Sequence, residues 1–307
     1  SMHPTSIERL NLFGDYTRNF AELKQARMAI KRKDFDTAKG LLGGRLREFL
    51  GDGASSEALA FALKIVINIV YGLTSAKFDN PFRDPRNKDN IVAKRGALFM
   101  IDLKHFVQER GFTVAHIKTD SIKIPDATPE IIREVILFGE KYGYEFEHEA
   151  TYDKFCLVND AVYIARQGNK WTAVGAQFQH PYVYKTLFTG EEITFDDLAE
   201  TKSVTQGAMW LDFEHDTPMV LAEGRLQFVG RTGRFVPVKE GVGGGVLYRV
   251  KDDRYYAVAG TKNHLWLEAE LAKTLPKDKI DMSYFERLAE EARNTIDYYG
   301  PFADFVR

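Results

Sequence analysis

The residues of this chain best suited to chemistry are Asp120, in Thr119-Asp120-Ser121, and a group formed by Lys64, Asn68 and Tyr71. Ile117-Lys118 leads into the triplet and Ile122-Lys123-Ile124 leads out, an alternation of β-branched residues with Lys that reads as a short hairpin. A carboxylate at such a tip is exposed and held by rigid backbone, which suits a ligand of a hard metal ion. Thr, Asp and Ser are also ordinary turn formers, so the triplet taken alone reads first as a polar turn. Lys64, Asn68 and Tyr71 stand at i, i+4 and i+7 of a helical pattern and share one face. A point charge, an amide and a ring in one stripe suit a nucleoside triphosphate, with Lys on the phosphates and the ring near sugar or base. A polar stripe that merely faces water is the ordinary alternative.

These side chains need elements to hold them. Ser1 to Ile7 reads as a strand end running into a turn, and Tyr16 to Arg32 as a helix with Lys24, Arg27 and Lys31 on one face. Asp36 and Gly43-Gly44 interrupt a second helical stretch, which Gly51-Asp52-Gly53 ends. A third helix runs from Ser55, as its N-cap, to Gly72. Residues 11–72 therefore read as an antiparallel helical hairpin with a basic face. Residues 78–88 form a loop, and Asp89 or Asn90 opens a long helix that Gly111 closes. After the Asp120 hairpin, Thr128-Pro129-Glu130 starts a helix that ends at Gly143. Glu145 to Glu149 reads as a strand. Phe155–Val158 and Ala161–Ala165 make a hairpin about Asn159-Asp160, and Gly168-Asn169 turns into Trp171–Val174. This centre is α+β, a sheet with helices on one face. Phe228 to Ala259 is β-rich, with glycine turns and an excess of Arg and Lys. Of two closing helices, the last carries a capping box from Ser283 to Glu286 and stops at Gly300-Pro301.

The chain has 307 residues, 44% hydrophobic and 28% charged, with a net charge of −2. That balance supports a sizeable core and argues against a wholly basic surface. Length favours two domains, or one with large subdomains. The single cysteine, Cys156, excludes an internal disulfide and a cysteine-based zinc cluster. No apolar run is read as approaching the roughly 20 residues of a membrane span, and the start lacks a secretory pattern. The expectation is a cytoplasmic protein without a membrane partner; nothing bears on oligomeric state.

Four segments occur in a telling order: Ser1-Met2-His3-Pro4-Thr5-Ser6-Ile7, then Lys64-x-x-x-Asn68-x-x-Tyr71-Gly72, then Thr119-Asp120-Ser121, then Lys154-Phe155. The set resembles the tail of motif A, motifs B and C, and the Lys-Tyr primer-contacting motif of the family B (alpha-like) DNA polymerases. Through Gly175-Ala176-Gln177-Phe178 and the glycines near 243 it is most similar to the bacteriophage or prophage branch. The resemblance implies an α+β polymerase palm, an antiparallel sheet with helices on one face, with helical fingers and a mixed α/β thumb-like region. Residues 1–10 would be a palm strand, 11–72 the fingers, 73–200 the palm, and 201–307 the thumb and C-terminal region. The implied activity is template-directed transfer of dNTPs onto a primer 3′-hydroxyl with two Mg²⁺ ions, or Mn²⁺ in their place. Asp120 would be the catalytic metal ligand. Met2, His3, Lys64, Asn68 and Tyr71 would face the incoming nucleotide, as would Arg27 and Lys31, for which a solvated basic face stays open. Lys154, Thr119 and Ser121 would contact primer–template DNA.

Departures from the family pattern qualify this. The family's motif A has a metal-binding Asp three residues before the Ser matching Ser1, so a C-terminal portion without that Asp or an exonuclease is expected. His3 stands where the family has a tyrosine that blocks a 2′-hydroxyl, and Lys118 where it has an acid. The interval from Gly72 to Asp120 leaves little room for the insertion of protein-primed relatives, which favours a nucleic-acid primer. The rival is a relative that binds primer–template DNA without chemistry. A nucleotide cyclase, which uses a similar palm, is disfavoured by the Lys64–Asn68–Tyr71 helix.

Overall fold

The computed structural model describes residues 2–50, 53–87, 90–212, 226–258, 261–268 and 275–307. It is a mixed α+β chain whose strand pairs are all antiparallel. It divides into two compact units, Ser1–Glu149 and Ala150–Arg307.

The first unit is mainly helical: α1 Met2–Arg9, α2 Thr17–Lys31, α3 Phe35–Gly40, α4 Gly53–Thr74, α5 Ile91–Glu109 and α6 Pro129–Lys141, with one hairpin of β1 His116–Lys118 and β2 Ser121–Lys123. Phe20 near the start of α2 shares a cluster with Ile67 and Val70 near the end of α4. Ala29 and Ile30 near the end of α2 share another with Leu63 and Leu59 nearer the start of α4. The two helices therefore run antiparallel, as expected. Asn90 caps α5 by accepting from the Ala93 amide, and Thr128 caps α6, with Pro129 in the first turn, as its pattern predicts.

The opening segment departs from expectation. It is a helix, not a palm strand. Met2 joins the core of Phe99, Met100 and Leu103, while Ile7 joins that of Phe20, Ile67 and Val70. Burial on two sides at helical spacing overrides the short extended-looking pattern, and Pro4 is tolerated because first-turn amides lack partners anyway. Gly96 admits this packing, since a Cβ there would meet Met2 Cγ at 2.8 Å. Ser55 lies inside α4 and is not its N-cap; the Gly51-Asp52 stop, Asp89 and Ala259 lie outside the described residues. Residues 145–149 are not a strand: Glu145 and Glu147 both bond Arg32 at 3.1 Å, and no described strand pairs with them. Ser55–Thr74 is long and apolar enough to cross a membrane by length and composition, which corrects the reading that no run approaches that size. Leu63, Ile67 and Val70 are buried, whereas Phe61, Ile65, Val66 and Ile69 are exposed.

Among the described residues the second unit contains three small sheets. β3 Lys154–Asn159, β4 Val162–Gln167 and β5 Lys170–Val174 form one meander. It packs on α7 Ala176–Gln179, α8 Pro181–Tyr184 and the closing helices α9 Met282–Tyr299 and α10 Phe302–Val306. The next sheet joins β6 Glu200–Ser203, β9 Thr232–Pro237 and β12 His264–Trp266. The last joins β7 Ala208–Asp212, β8 Gln227–Gly230, β10 Val246–Lys251 and β11 Arg254–Ala257. The capping box expected on α9 does not form: Asp281 is the N-cap, without a side-chain cap bond, and Ser283 donates to it at 2.5 Å.

A buried polar cluster ties this unit together. Glu200 Oε1 accepts from the Tyr284 hydroxyl at 2.5 Å, and Lys202 Nζ lies 2.7 Å from Oε2. His180 and His264 approach the same carboxylate at 3.7 and 3.4 Å. Burial alone would raise the Glu200 pKa, but His264, Lys202 and Tyr284 together hold it at about 2. Burial lowers that of His180, against the raising influence of Glu200 and Asp197. Both folded values lie below the ordinary ones, so the unfolded chain binds more protons and stability rises with pH. The second unit should therefore lose stability progressively below about pH 6.5 through His180, and again from about pH 4.5 down through Glu200, whose shift is worth about 2–3 kcal/mol. Urea midpoints between about pH 8 and about pH 2.5 test this, and Glu200→Gln should flatten the acid limb; equal midpoints across that range would show that the cluster does not titrate on unfolding.

Candidate functional site

The hairpin is built as its alternation requires. Lys118 pairs with Ser121 and His116 with Lys123, so these four share one face, while Ile117 pairs with Ile122 on the other. Ile117 and Ile122 pack on the core of α5 and α6. Asp120 occupies the two-residue turn with Thr119, and both are exposed. Because Asp120 is in the turn, it does not share a strand face with Lys118. Lys118 is felt instead by Lys123, whose pKa is lowered by burial and by Lys118, against the pull of Glu149. The polar face beside Asp120 is thus basic, a setting for an anionic ligand.

Two further predicted residues meet near this tip. The His3 and Tyr71 rings stack at 4.1 Å between centroids and 5° between planes. α1 presents His3, and α4 presents Tyr71 one helical repeat beyond Asn68 and Lys64. Burial lowers the His3 pKa, and Asp120 works against it by raising it. His3 Nδ1 is buried without a hydrogen-bond partner. Sequence elements far apart in the chain therefore bring His3, Tyr71 and Asp120 into one neighbourhood.

The other candidates divide. Lys64 and Asn68 are exposed. Met2 is buried in the core, so it does not face a ligand; it anchors the helix that carries His3. Lys24 does not extend a basic face, because it pairs with Glu8 and approaches Thr5 Oγ1 at 3.4 Å. Arg27 is half-buried and Lys31 exposed. Lys154 belongs to the second unit, where its Nζ donates to the Asp304 carbonyl at 2.9 Å. Its cross-strand partner Arg166 donates to the Val306 carbonyl at 3.3 Å, so both cations cap the end of α10. Sequence reasoning missed the cluster of His180, Glu200, His264 and Tyr284, whose members share no spacing that could have signalled it. Lys123, by contrast, was readable from the hairpin alternation.

Among the described residues no group of three or more His, Cys, Asp or Glu could hold a metal ion. The hairpin tip offers one carboxylate. That donor set fits a Mg²⁺ ion carried in by phosphate oxygens, which needs few protein ligands, and does not fit two resident ions.

No family model matches the chain, and no curated protein does. Among solved structures, the family B DNA polymerase from the hyperthermophilic archaeon Pyrobaculum calidifontis is similar at a TM-score of 0.44 and 14% identity, over 91% of this chain and 37% of that one. The chain thus spans well under half of that polymerase, and a likeness of this degree carries no argument about activity.

The neighbourhood makes a spectroscopic prediction. Asp120→Asn removes the charge that raises the His3 pKa, so imidazole titration followed by NMR should move to lower pH. Tyr71→Ala opens the stack to water and should move it up. Unchanged titration in both variants would separate His3 from this site.

Proposed function

We propose that the chain is part of a template-directed DNA polymerase of the family B type, with the nucleotide received between α4 and the Asp120 hairpin. The stack of His3 on Tyr71 beside Asp120 supports this reading most, because it joins residues of three resembling motifs that the sequence keeps far apart. In this reading residues 11–72 are the fingers, and Lys64 meets the triphosphate as a point charge. Asn68 donates or accepts beside it. The His3–Tyr71 stack forms a flat floor under the sugar. Ile65 and Ile69, exposed on the same helix, offer apolar area that a base pair covers when it arrives.

Bound Mg²⁺ supplies neutralisation of phosphate charge and polarises the reacting oxygens. Asp120 would supply one carboxylate ligand to such an ion. Lys118 and Lys123 hold negative charge on the adjoining face. Lys154 is read as a primer-phosphate contact that keeps two of its three donors for DNA, and Thr119 and Ser121 as flanking contacts. One observation favours the rival, a primer–template binder without chemistry: the single carboxylate at the tip. Primer extension in Mg²⁺ decides between them, since the rival binds primed DNA but does not lengthen it.

Lys64→Ala should weaken dNTP binding by about 10- to 150-fold, the equivalent of roughly 1.5–3 kcal/mol for a hydrogen bond to a charged group. Titration with a fluorescent dNTP checks it. Wild-type affinity in that variant would leave Lys64 as a solvated surface lysine and remove the phosphate contact from the proposal.

A further inference from the structure

A pocket of about 360 Å³ opens in the second unit where the end of α9 and α10 meet β3. Its depth is apolar. Cys156 and Ile296 line it and are buried. Phe305 lines it half-buried, packed on the same core and 5.5 Å from the Trp171 ring. Tyr299 and Pro301 are exposed and form the rim. The Phe155 and Leu157 side chains take no part, because register puts them with Tyr163 on the opposite face of the sheet from Cys156.

One cation stands in this apolar setting. Lys154 also lines the pocket, on the strand face that Cys156 shares two residues on. Its Nζ donates to the Asp304 carbonyl at 2.9 Å, which fixes the ammonium and leaves two of its three protons for another acceptor. The carboxylate of the lining, that of Asp304, is 65% exposed and lies 3.5 Å from Arg307 Nη1, so its charge is already met. We infer that this pocket binds a small apolar carboxylic acid, its carboxylate on Lys154 and its hydrocarbon part against Ile296 and Phe305. Small-ligand pockets are mostly apolar, hold a few hundred Å³ and use a few placed polar groups for orientation. A nucleotide would have to strip water from several phosphate charges for a single cation, at a cost these apolar walls do not offset. The inference does not rest on the nucleotide reading of the first unit, but it shares Lys154 with that reading. An acid bound here withdraws the cation that would otherwise hold primer phosphate.

The test uses the full chain, with phenylbutyrate as the probe and phenylbutyramide as its uncharged counterpart. On titration with the acid, the Cys156, Gly300 and Phe305 amide signals should shift in nitrogen-edited NMR spectra, while those of α4 stay in place. Lys154→Met keeps the apolar stem without the charge, and should weaken the acid about 10-fold while leaving the amide at parent affinity. Gly300→Leu should weaken both probes. Gly300 lines the pocket in extended backbone, and a Cβ there would meet no atom within 4 Å, so the added side chain occupies open space without disturbing the core. That variant retains Lys154 and should bind primed DNA like the parent, so failure of the pocket and failure of the DNA contact give different results. No shift at millimolar acid, shifts scattered over both units, or equal affinity of the parent and Lys154→Met for the acid would overturn the inference.

Discussion

The burial of α1 is the constraint on which the first unit depends. Eight residues long, this helix is too short to hold its shape alone. It persists because Met2 and Ile7 enter two different cores and because Ser6 and Arg95 both bond the Tyr144 hydroxyl. Its other tie, Glu8 to Lys24, joins it to α2. With α1 fixed on these sides, His3 has one place to go, against Tyr71. The stack is thus a product of core packing, and the ring that would meet a ligand is positioned by side chains that never touch it.

Electrostatics at the hairpin follows from register. One face of β1 and β2 is apolar and seated on the core, so every charge of the alternation falls on the other. Lys118 and Lys123 are therefore neighbours, and Asp120 at the turn is the only carboxylate of the hairpin. The strip is basic, with Asp120 at its end and Glu149 acting on Lys123 from beyond the hairpin. In the second unit the pattern inverts: Glu200 is buried among His180, Lys202, His264 and Tyr284, and charge serves cohesion there.

The hairpin, the antiparallel α2 and α4, the Asn90 and Thr128 caps, and the β3–β4–β5 meander were legible because each is decided by local periodicity and turn chemistry. The stripe of Lys64, Asn68 and Tyr71 was legible for the same reason. The helical form of α1 was not, since its apolar residues are few and only two separate cores make the choice. The unpaired run at 145–149 looked like a strand because Glu145 and Glu147 alternate with apolar residues, but a ladder needs a partner and Arg32 took its place. The Glu200 cluster was invisible because its members come from separate elements brought together by tertiary packing.

The long reach of the second unit's contacts governs how it is assembled. Its first core joins Cys156, Ile164 and Trp171 to Ala289, Ala292 and Ile296, and Lys154 and Arg166 find their carbonyl partners 150 and 140 residues further on. During synthesis the meander of β3–β5 leaves the ribosome long before α9 and α10 exist to cover it. The first unit has its own cores by then, so folding is vectorial: an early half that settles on emergence and a late half that stays open, its Trp171 face uncovered, until the final helices arrive. Contacts of this sequence separation slow closure, which leaves apolar surface of the nascent second half open to aggregation for the interval.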